Sequence, residues 1–141
     1  RCDSVEVSDH DWIDASIRHG EGLQVEPWLE RKGDYALHGW VEKGARVHLG
    51  RVCQQECDQH GAWKRTTLLS DDAIPSQTRQ RLMQAGRETA EALGAEGYFG
   101  PFGIDGYEYV RAGEQHLNPR CEINARFTTG WRVGMGDFEL P

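Results

Sequence analysis

An α+β fold, with antiparallel sheets and packing helices, is what this sequence predicts, and three observations predict it. Between Gly97 and Arg126 two alternating segments flank Arg111-Ala112-Gly113-Glu114, which has the composition of a hairpin turn. Upstream, alternating segments are joined by short loops, the pattern of an antiparallel meander. Helical periodicity is confined to a short stretch near the start and a longer one from Ser76 to about Leu93.

The 141 residues suit one domain, 1–141, and suffice for a hydrophobic core. A hydrophobic content of 38% and five Trp exclude a wholly disordered chain, while 17 Gly imply many turns. The net charge of −7 argues against nucleic acid as a partner. No apolar run approaches the ~20 residues that span a bilayer and no signal-peptide pattern opens the chain, so no membrane association and a cytoplasmic location are expected. Cys2, Cys53, Cys57 and Cys121 fit neither a disulfide framework nor a zinc motif, and are expected to be buried or incidental thiols. The start at Arg1 and the ending at Pro141 give the expectation of a piece of a larger protein.

In chain order, Asp9 to Gly20 is expected to be a helix capped by Ser8 or Asp9, with Trp12, Ile13, Ser16 and Ile17 facing inward. Leu23 to Leu29 alternates like a strand, with Pro27 at its end or edge. After a polar break at Glu30-Arg31-Lys32-Gly33, Asp34 leads into a second strand, Tyr35 to Val41. The turn Glu42-Lys43-Gly44 then leads into a third, Ala45 to Cys53. Asp58-Gln59-His60-Gly61 signals a turn before a fourth, Ala62 to Thr66, where Lys64 and Arg65 read as edge-strand charges. Ser76 is expected to cap the long helix, Gly94 to end it, and Leu82, Met83, Gly86, Ala90 and Leu93 to form its inner stripe. Gly86 and Ala90 are small enough to bring that helix close to a sheet.

The hairpin carries the candidate chemistry. Its strands are Ile104 to Val110 and Cys121 to Arg126. Side chains alternate along a strand, so Cys121, Ile123 and Ala125 are expected to face a core while Glu122, Asn124 and Arg126 share the other face, roughly 7 Å apart. Asp105 on the neighbouring strand can join them. Two carboxylates and an amide oxygen are hard donors suited to magnesium, which is commonly shared with substrate phosphates. The planar fork of Arg126 suits a phosphate oxygen. A hairpin with a merely solvated polar face is the plain alternative. Beyond it, Thr128, Thr129 and Gly130 read equally as ligand-facing residues or as a surface turn.

Gly103-Ile104-Asp105 followed, after a hairpin, by Glu122-Ile123-Asn124-Ala125-Arg126 resembles the metal-binding end of the ATP-grasp superfamily. The resemblance implies that Asp105, Glu122 and Asn124 hold magnesium, or manganese in its place, on bound ATP. It implies that Arg126 is catalytic, stabilising the transferred phosphoryl group. Val25-Glu26-Pro27-Trp28-Leu29 followed by Asp34 resembles the family's nucleoside-holding segment. That likeness implies that backbone at Glu26, Pro27, Trp28 and Leu29 meets the adenine edge and that Asp34 accepts from ribose. Pro27 lacks an N–H, so Trp28 or Leu29 must donate.

The resemblance spans residues 22 to 130 and departs from the family at its front. Lys32, Lys43 and Lys64 all lie downstream of where the family's phosphate-binding lysine belongs, and no glycine-rich flap precedes Glu26. The implied protein is the C-terminal portion of an ATP-grasp domain, with upstream domains of the same parent chain as partners. The parent would be a ligase that activates a small carboxylate as an acyl phosphate for attack by an amine or similar nucleophile. The isolated chain is expected to turn over little ATP, since half a clamp forfeits most of the charge stabilisation. The alternative expectation is a non-catalytic nucleotide- or metal-binding module, and a third is a structural domain with none of this chemistry.

Overall fold

A computed structural model of the chain describes residues 7–20, 22–23, 27, 29–44, 46–58 and 62–141. The strands are β1 (Glu30–Val41), β2 (Val47–Leu49), β3 (Cys53–Cys57), β4 (Trp63–Leu68), β5 (Gly100–Arg111) and β6 (Glu114–Asn124). The helices are α1 (Val7–His19), α2 (Ser76–Ala95) and α3 (Trp131–Met135). The strands form one antiparallel sheet in the order β4-β3-β1-β5-β6, with β2 also paired to β1. The expected α+β class is the observed one. No helix among the described residues is long and apolar enough to cross a membrane.

β1 and β5 are the spine. They pair from Glu30 opposite Val110 to Val41 opposite Gly100, with Leu37 opposite Ile104 and Ala36 opposite Asp105. Tyr35 to Gly39 is buried without a break, because α2 covers one face and the other carries the residues around α3. Alternation therefore sends Leu37 and Ile104 under α2 and sends Ala36, His38 and Asp105 to the opposite face. Leu37, Leu82 and Ile104 are fully buried, each worth about 1.5–3 kcal/mol of apolar transfer.

Helix α2 lies close on this spine. Leu82, Ala85, Gly86 and Ala90 are buried, and Met83 and Leu93 pack against the core margins, as the helical spacing predicts. A Cβ at Gly86 would stand 2.5 Å from Leu37 Cδ2, so the absence of a side chain is what admits Leu37. Near the helix start a buried carboxylate joins the layers. Glu108 accepts from the Tyr35 hydroxyl at 2.9 Å and from Thr78 Oγ1 at 2.9 Å. Burial, then the bond to Glu108, holds the Tyr35 phenol well above its ordinary pKa, so it remains a donor. The first residue of α2 is Ser76, but Pro75 occupies the cap position and no side chain caps it. The helix also runs past Gly94. It closes through Gly97, in the left-handed region at φ 81°, with Tyr98 N donating to Leu93 O at 2.9 Å.

Other expectations are corrected. Glu30 to Gly33 is no break but the start of β1, because Tyr109 and Val110 supply strand partners and a register shift between Arg31 and Gly33 absorbs the irregularity. The strand expected at Leu23–Leu29 does not form at its described residues, Leu23, Pro27 and Leu29, and the rest of it lies outside the described residues, as do His60 and Ala45. The expected third strand splits into β2 and β3 at a corner where Gly50 N donates to His38 O and Arg51 N to Gly134 O, at 2.8 and 2.9 Å. Ser8 and Asp9 lie inside α1 rather than ahead of it, and Trp12 and Ile17 are 64% and 62% exposed rather than inward.

The hairpin turn is as expected. Ala112 and Gly113 at φ 53° and 82° form a two-residue turn closed by Arg111 opposite Glu114. The second strand, however, begins at Glu114 and ends at Asn124. Lys64 and Arg65 sit on the edge strand β4, as expected, with Arg65 paired to Glu56. The tail does not trail off: Trp131 and Met135 are buried, and Trp131 Nε1 donates to Gly39 O at 3.1 Å. Trp40, Phe127 and Phe138 pack around Trp131, with ring centroids 4.9 Å apart for Phe127 and Trp131.

Gly86→Val is expected to lower unfolding stability by about 1–3 kcal/mol through overpacking against Leu37, despite the better helix propensity of valine. Urea denaturation measures it. An unchanged midpoint would contradict the close approach of α2 to β1.

Candidate functional site

Opposite α2, the sheet and the segment after β6 enclose an open pocket of about 340 Å³. Asp105, Glu122, Asn124 and Arg126 all line it, with Asp34, Arg31, Gln55, Cys57, Trp63 and the Thr128-Thr129-Gly130 segment. The β5–β6 register makes Asp105 and Glu122 direct cross-strand partners and sets Asn124 opposite Gly103. Directly paired residues have Cβ atoms about 4.5–5.5 Å apart, so the two carboxylates share one small region.

The faces of β6 differ from the simple alternation. Asn124 is buried, whereas Cys121, Ile123 and Ala125 are exposed, Ile123 by 49%. Two physical causes account for this. β6 is the edge strand beside β5, and Ile123 lies at its far end, away from the Leu117 carbonyl that takes Arg81 of α2. An irregularity between the Asp105–Glu122 and Tyr107–Asn118 pairs also turns Cys121 toward the pocket. Cys121 is thus not on a core face. Although the residue as a whole is exposed, its thiol is partly desolvated among the pocket walls, and this first, then the Asp105 charge, pushes it up to about 11, so it stays neutral. Arg126 lies beyond the end of β6 and is exposed, its Nη1 donating to Phe127 O at 3.3 Å.

Asp105 is the electrostatic centre. Gln55 Nε2 donates to its Oδ1 at 2.8 Å, and Asn124 Nδ2 approaches its Oδ2 at 3.4 Å. Burial and then the Glu122 carboxylate push its pKa up to about 6, with Gln55 and Arg126 opposing. Among the described residues no three His, Cys, Asp or Glu side chains form a ready metal cluster. The oxygen set consists of two carboxylates and an amide, with two guanidinium groups, Arg31 and Arg126, on the walls. Such a set fits a hard cation that brings further ligands of its own. Burial first, and then the neighbouring Glu122 charge, favour the protonated form of Asp105.

Asp34 sits within β1, opposite Gln55 and Tyr107, rather than in a loop after a hinge. Its Oδ1 takes Arg31 Nη1 at 2.9 Å, and the Arg31 guanidinium lies 4.1 Å from the Tyr107 ring centroid. Pro27 and Leu29 do not line the pocket, and Glu26 and Trp28 lie outside the described residues. Sequence reasoning passed over Gln55, Cys57, Trp63 and Arg31. Alternation along Cys53, Gln55 and Cys57 was the available signal for β3, but it needed the register with β1. Trp63, whose Nε1 donates to Thr66 Oγ1 at 2.9 Å, gave no signal beyond an aromatic on a polar edge strand.

Beneath the pocket lies a buried imidazole. His38 is 1% exposed, and burial lowers its pKa to about 4, so it is neutral in ordinary buffers. Its Nδ1 is 3.2 Å from Thr128 Oγ1, and its Nε2 is buried without a partner among the described residues.

No family model and no curated protein sequence matches this chain. Solved structures do match in fold. N5-carboxyaminoimidazole ribonucleotide synthetase from Thermus thermophilus superposes with TM-score 0.55 at 14% identity, over 88% of this chain and 32% of that one. The Staphylococcus aureus N5-carboxyaminoimidazole synthetase in complex with ADP gives 0.52 at 13% identity, over 82% and 32%. Carboxyaminoimidazole ribonucleotide synthase from Aspergillus clavatus complexed with ATP gives 0.50 at 17%, over 72% and 24%. The likeness is one of fold, the ATP-grasp fold, and the chain spans about a quarter to a third of those proteins' lengths.

The Asp105 pKa yields a signed expectation. Protonated Asp105 contributes stability that is complete below its ordinary 3.8 and lost as pH rises through about 6. Asp105→Asn is therefore expected to leave stability nearly unchanged at pH 4 and to raise it by about 1–3 kcal/mol at pH 8 in metal-free buffer. Urea melts at the two pH values measure this. An equal effect at both, or a loss at pH 8, would show that Asp105 is not strained by its neighbours.

Proposed function

We propose that this chain is the ATP- and magnesium-binding part of an ATP-grasp ligase whose parent activates a carboxylate as an acyl phosphate for attack by an amine or similar nucleophile. The reading is carried by one observation: Asp105 and Glu122 pair directly across β5 and β6 in a pocket that Asn124 and Arg126 also line. The fold likeness to carboxyaminoimidazole synthetases supports it.

In this reading Asp105, Glu122 and Asn124 hold the metal, magnesium or manganese, which when bound neutralises phosphate charge and lets the phosphoryl group move. Gln55 keeps Asp105 oriented through its 2.8 Å bond, so the carboxylate is aimed before ligand arrives. Arg126, on the pocket wall and bonded only loosely to its own chain, turns to the migrating phosphoryl oxygens. Asp34 accepts from ribose, and the backbone from Glu26 to Leu29 takes the adenine edge. Asp34 lies on the same face as Asp105, which suits a nucleotide laid along β1 with its phosphates toward the hairpin. The whole clamp includes upstream domains of the parent, and the isolated chain binds nucleotide far better than it ligates.

A non-catalytic nucleotide- or metal-binding module is the second reading. It is favoured by the pocket's lining, which includes no lysine among the described residues.

Calorimetric titration with Mg·ADP tests the site. Binding is expected to need magnesium and to weaken at least tenfold in Glu122→Gln, about 1.4 kcal/mol. Arg126→Ala should cost ligation by the parent about a hundredfold or more while changing ADP affinity little. Nucleotide binding indifferent to both magnesium and Glu122→Gln would sink the assignment. A parent in which Arg126→Ala leaves turnover intact would favour the binding module.

A further inference from the structure

The neutral imidazole of His38 lies under the pocket floor in a space that two missing side chains leave open. A Cβ at Gly103, its partner across β1 and β5, would stand 3.1 Å from Nδ1, and one at Gly134 would stand 2.5 Å from Cδ2. Among the described residues one polar group reaches the ring, the hydroxyl of Thr128, at 3.2 Å from Nδ1, and Thr128 also lines the pocket. The other ring nitrogen, Nε2, is buried with no partner among the described residues.

We propose that Thr128 is an anion-contacting hydroxyl of this pocket and that His38 is the positioning residue that turns its hydrogen toward the ligand. A neutral imidazole carries one N–H, and its place decides the direction of the bond. With the hydrogen on Nε2, a buried donor would be orphaned, a rarer condition than an under-used acceptor. With the hydrogen on Nδ1, the orphan is only a ring lone pair, and Nδ1–H donates to Thr128 Oγ1. The hydroxyl then cannot point its own hydrogen at the ring, which leaves that hydrogen available to a ligand in the pocket that Thr128 lines. A polarised O–H beside Arg126 suits a phosphoryl oxygen. The choice of phosphate as the anion rests on the nucleotide reading above; the direction of the His38–Thr128 bond does not.

Two measurements on the 141-residue chain separate these parts. Nitrogen-15 shifts of the imidazole report the tautomer without any ligand, and calorimetry with Mg·ADP reports the contact. The expected result is Nδ1–H in the wild type and about tenfold weaker Mg·ADP binding in Thr128→Val, with Thr128→Ser close to wild type. His38→Asn, which keeps a donor at the Nδ1 position, should stay within about threefold, whereas His38→Leu should fall as far as Thr128→Val. Thermal melts identify any variant that fails to fold, and the Thr128 pair then decides. A chain that binds Mg·ADP but carries Nε2–H, or whose Thr128→Val binds as the wild type, overturns the present inference alone. A chain with Nδ1–H that takes up no Mg·ADP overturns the nucleotide reading and the ligand assigned to Thr128, while supporting the direction of the bond.

Discussion

The pairing of β1 with β5 is the constraint on which everything else rests. Both strands are covered on both faces, so each residue's side of the sheet is decided by its parity. Leu37 and Ile104 meet α2, while Ala36 and Asp105 face the other side of the sheet, where Asp105 lines the pocket. A slip of one residue would carry Asp105 beneath the helix and push Ile104 into the site. Such a slip would bury a carboxylate without partners, which costs several kcal/mol, and would drive another side chain against Gly86. Packing on one side of the sheet therefore protects the chemistry on the other.

What that register creates is a local excess of negative charge. Asp105 and Glu122 are brought together by backbone hydrogen bonds that are indifferent to their repulsion. Gln55 and Asn124 offer amide hydrogens to Asp105, yet burial first and then the Glu122 charge still hold its pKa above the ordinary carboxylate value. The contrast with Glu108 is instructive. That carboxylate is buried on the other face between two hydroxyl donors, where it joins helix to sheet. Two acids three residues apart on one strand thus have opposite uses. One joins helix to sheet, and the other faces the pocket beside a second carboxylate.

The segment after β6 closes the pocket and is held from below. Trp131 donates to the Gly39 carbonyl, Gly134 accepts from Arg51, and Thr128 meets His38. The β1–β2–β3 edge and the final residues thereby share one aromatic and hydrogen-bonded cluster. A tail that looks featureless in one dimension forms a wall of the site because its partners lie some ninety residues earlier in the chain.

Much of the hairpin was legible in advance. Arg111-Ala112-Gly113-Glu114 has turn chemistry of its own, and the helical stripe of α2, with Gly86 within it, follows from spacing alone. Local rules misled where tertiary partners intervened. Glu30 to Gly33 looks like a loop until β5 supplies its hydrogen bonds, and Cys121 looks apolar-facing until the irregularity in β6 turns it round. By itself the sequence determined the donor types, their order and the turn that folds them back, because those depend on residues close in the chain. Only the tertiary structure decided that Gln55, Trp63 and Thr128 line one pocket and that the buried His38 meets Thr128. Those neighbours are set by strand register and burial, which no local pattern encodes.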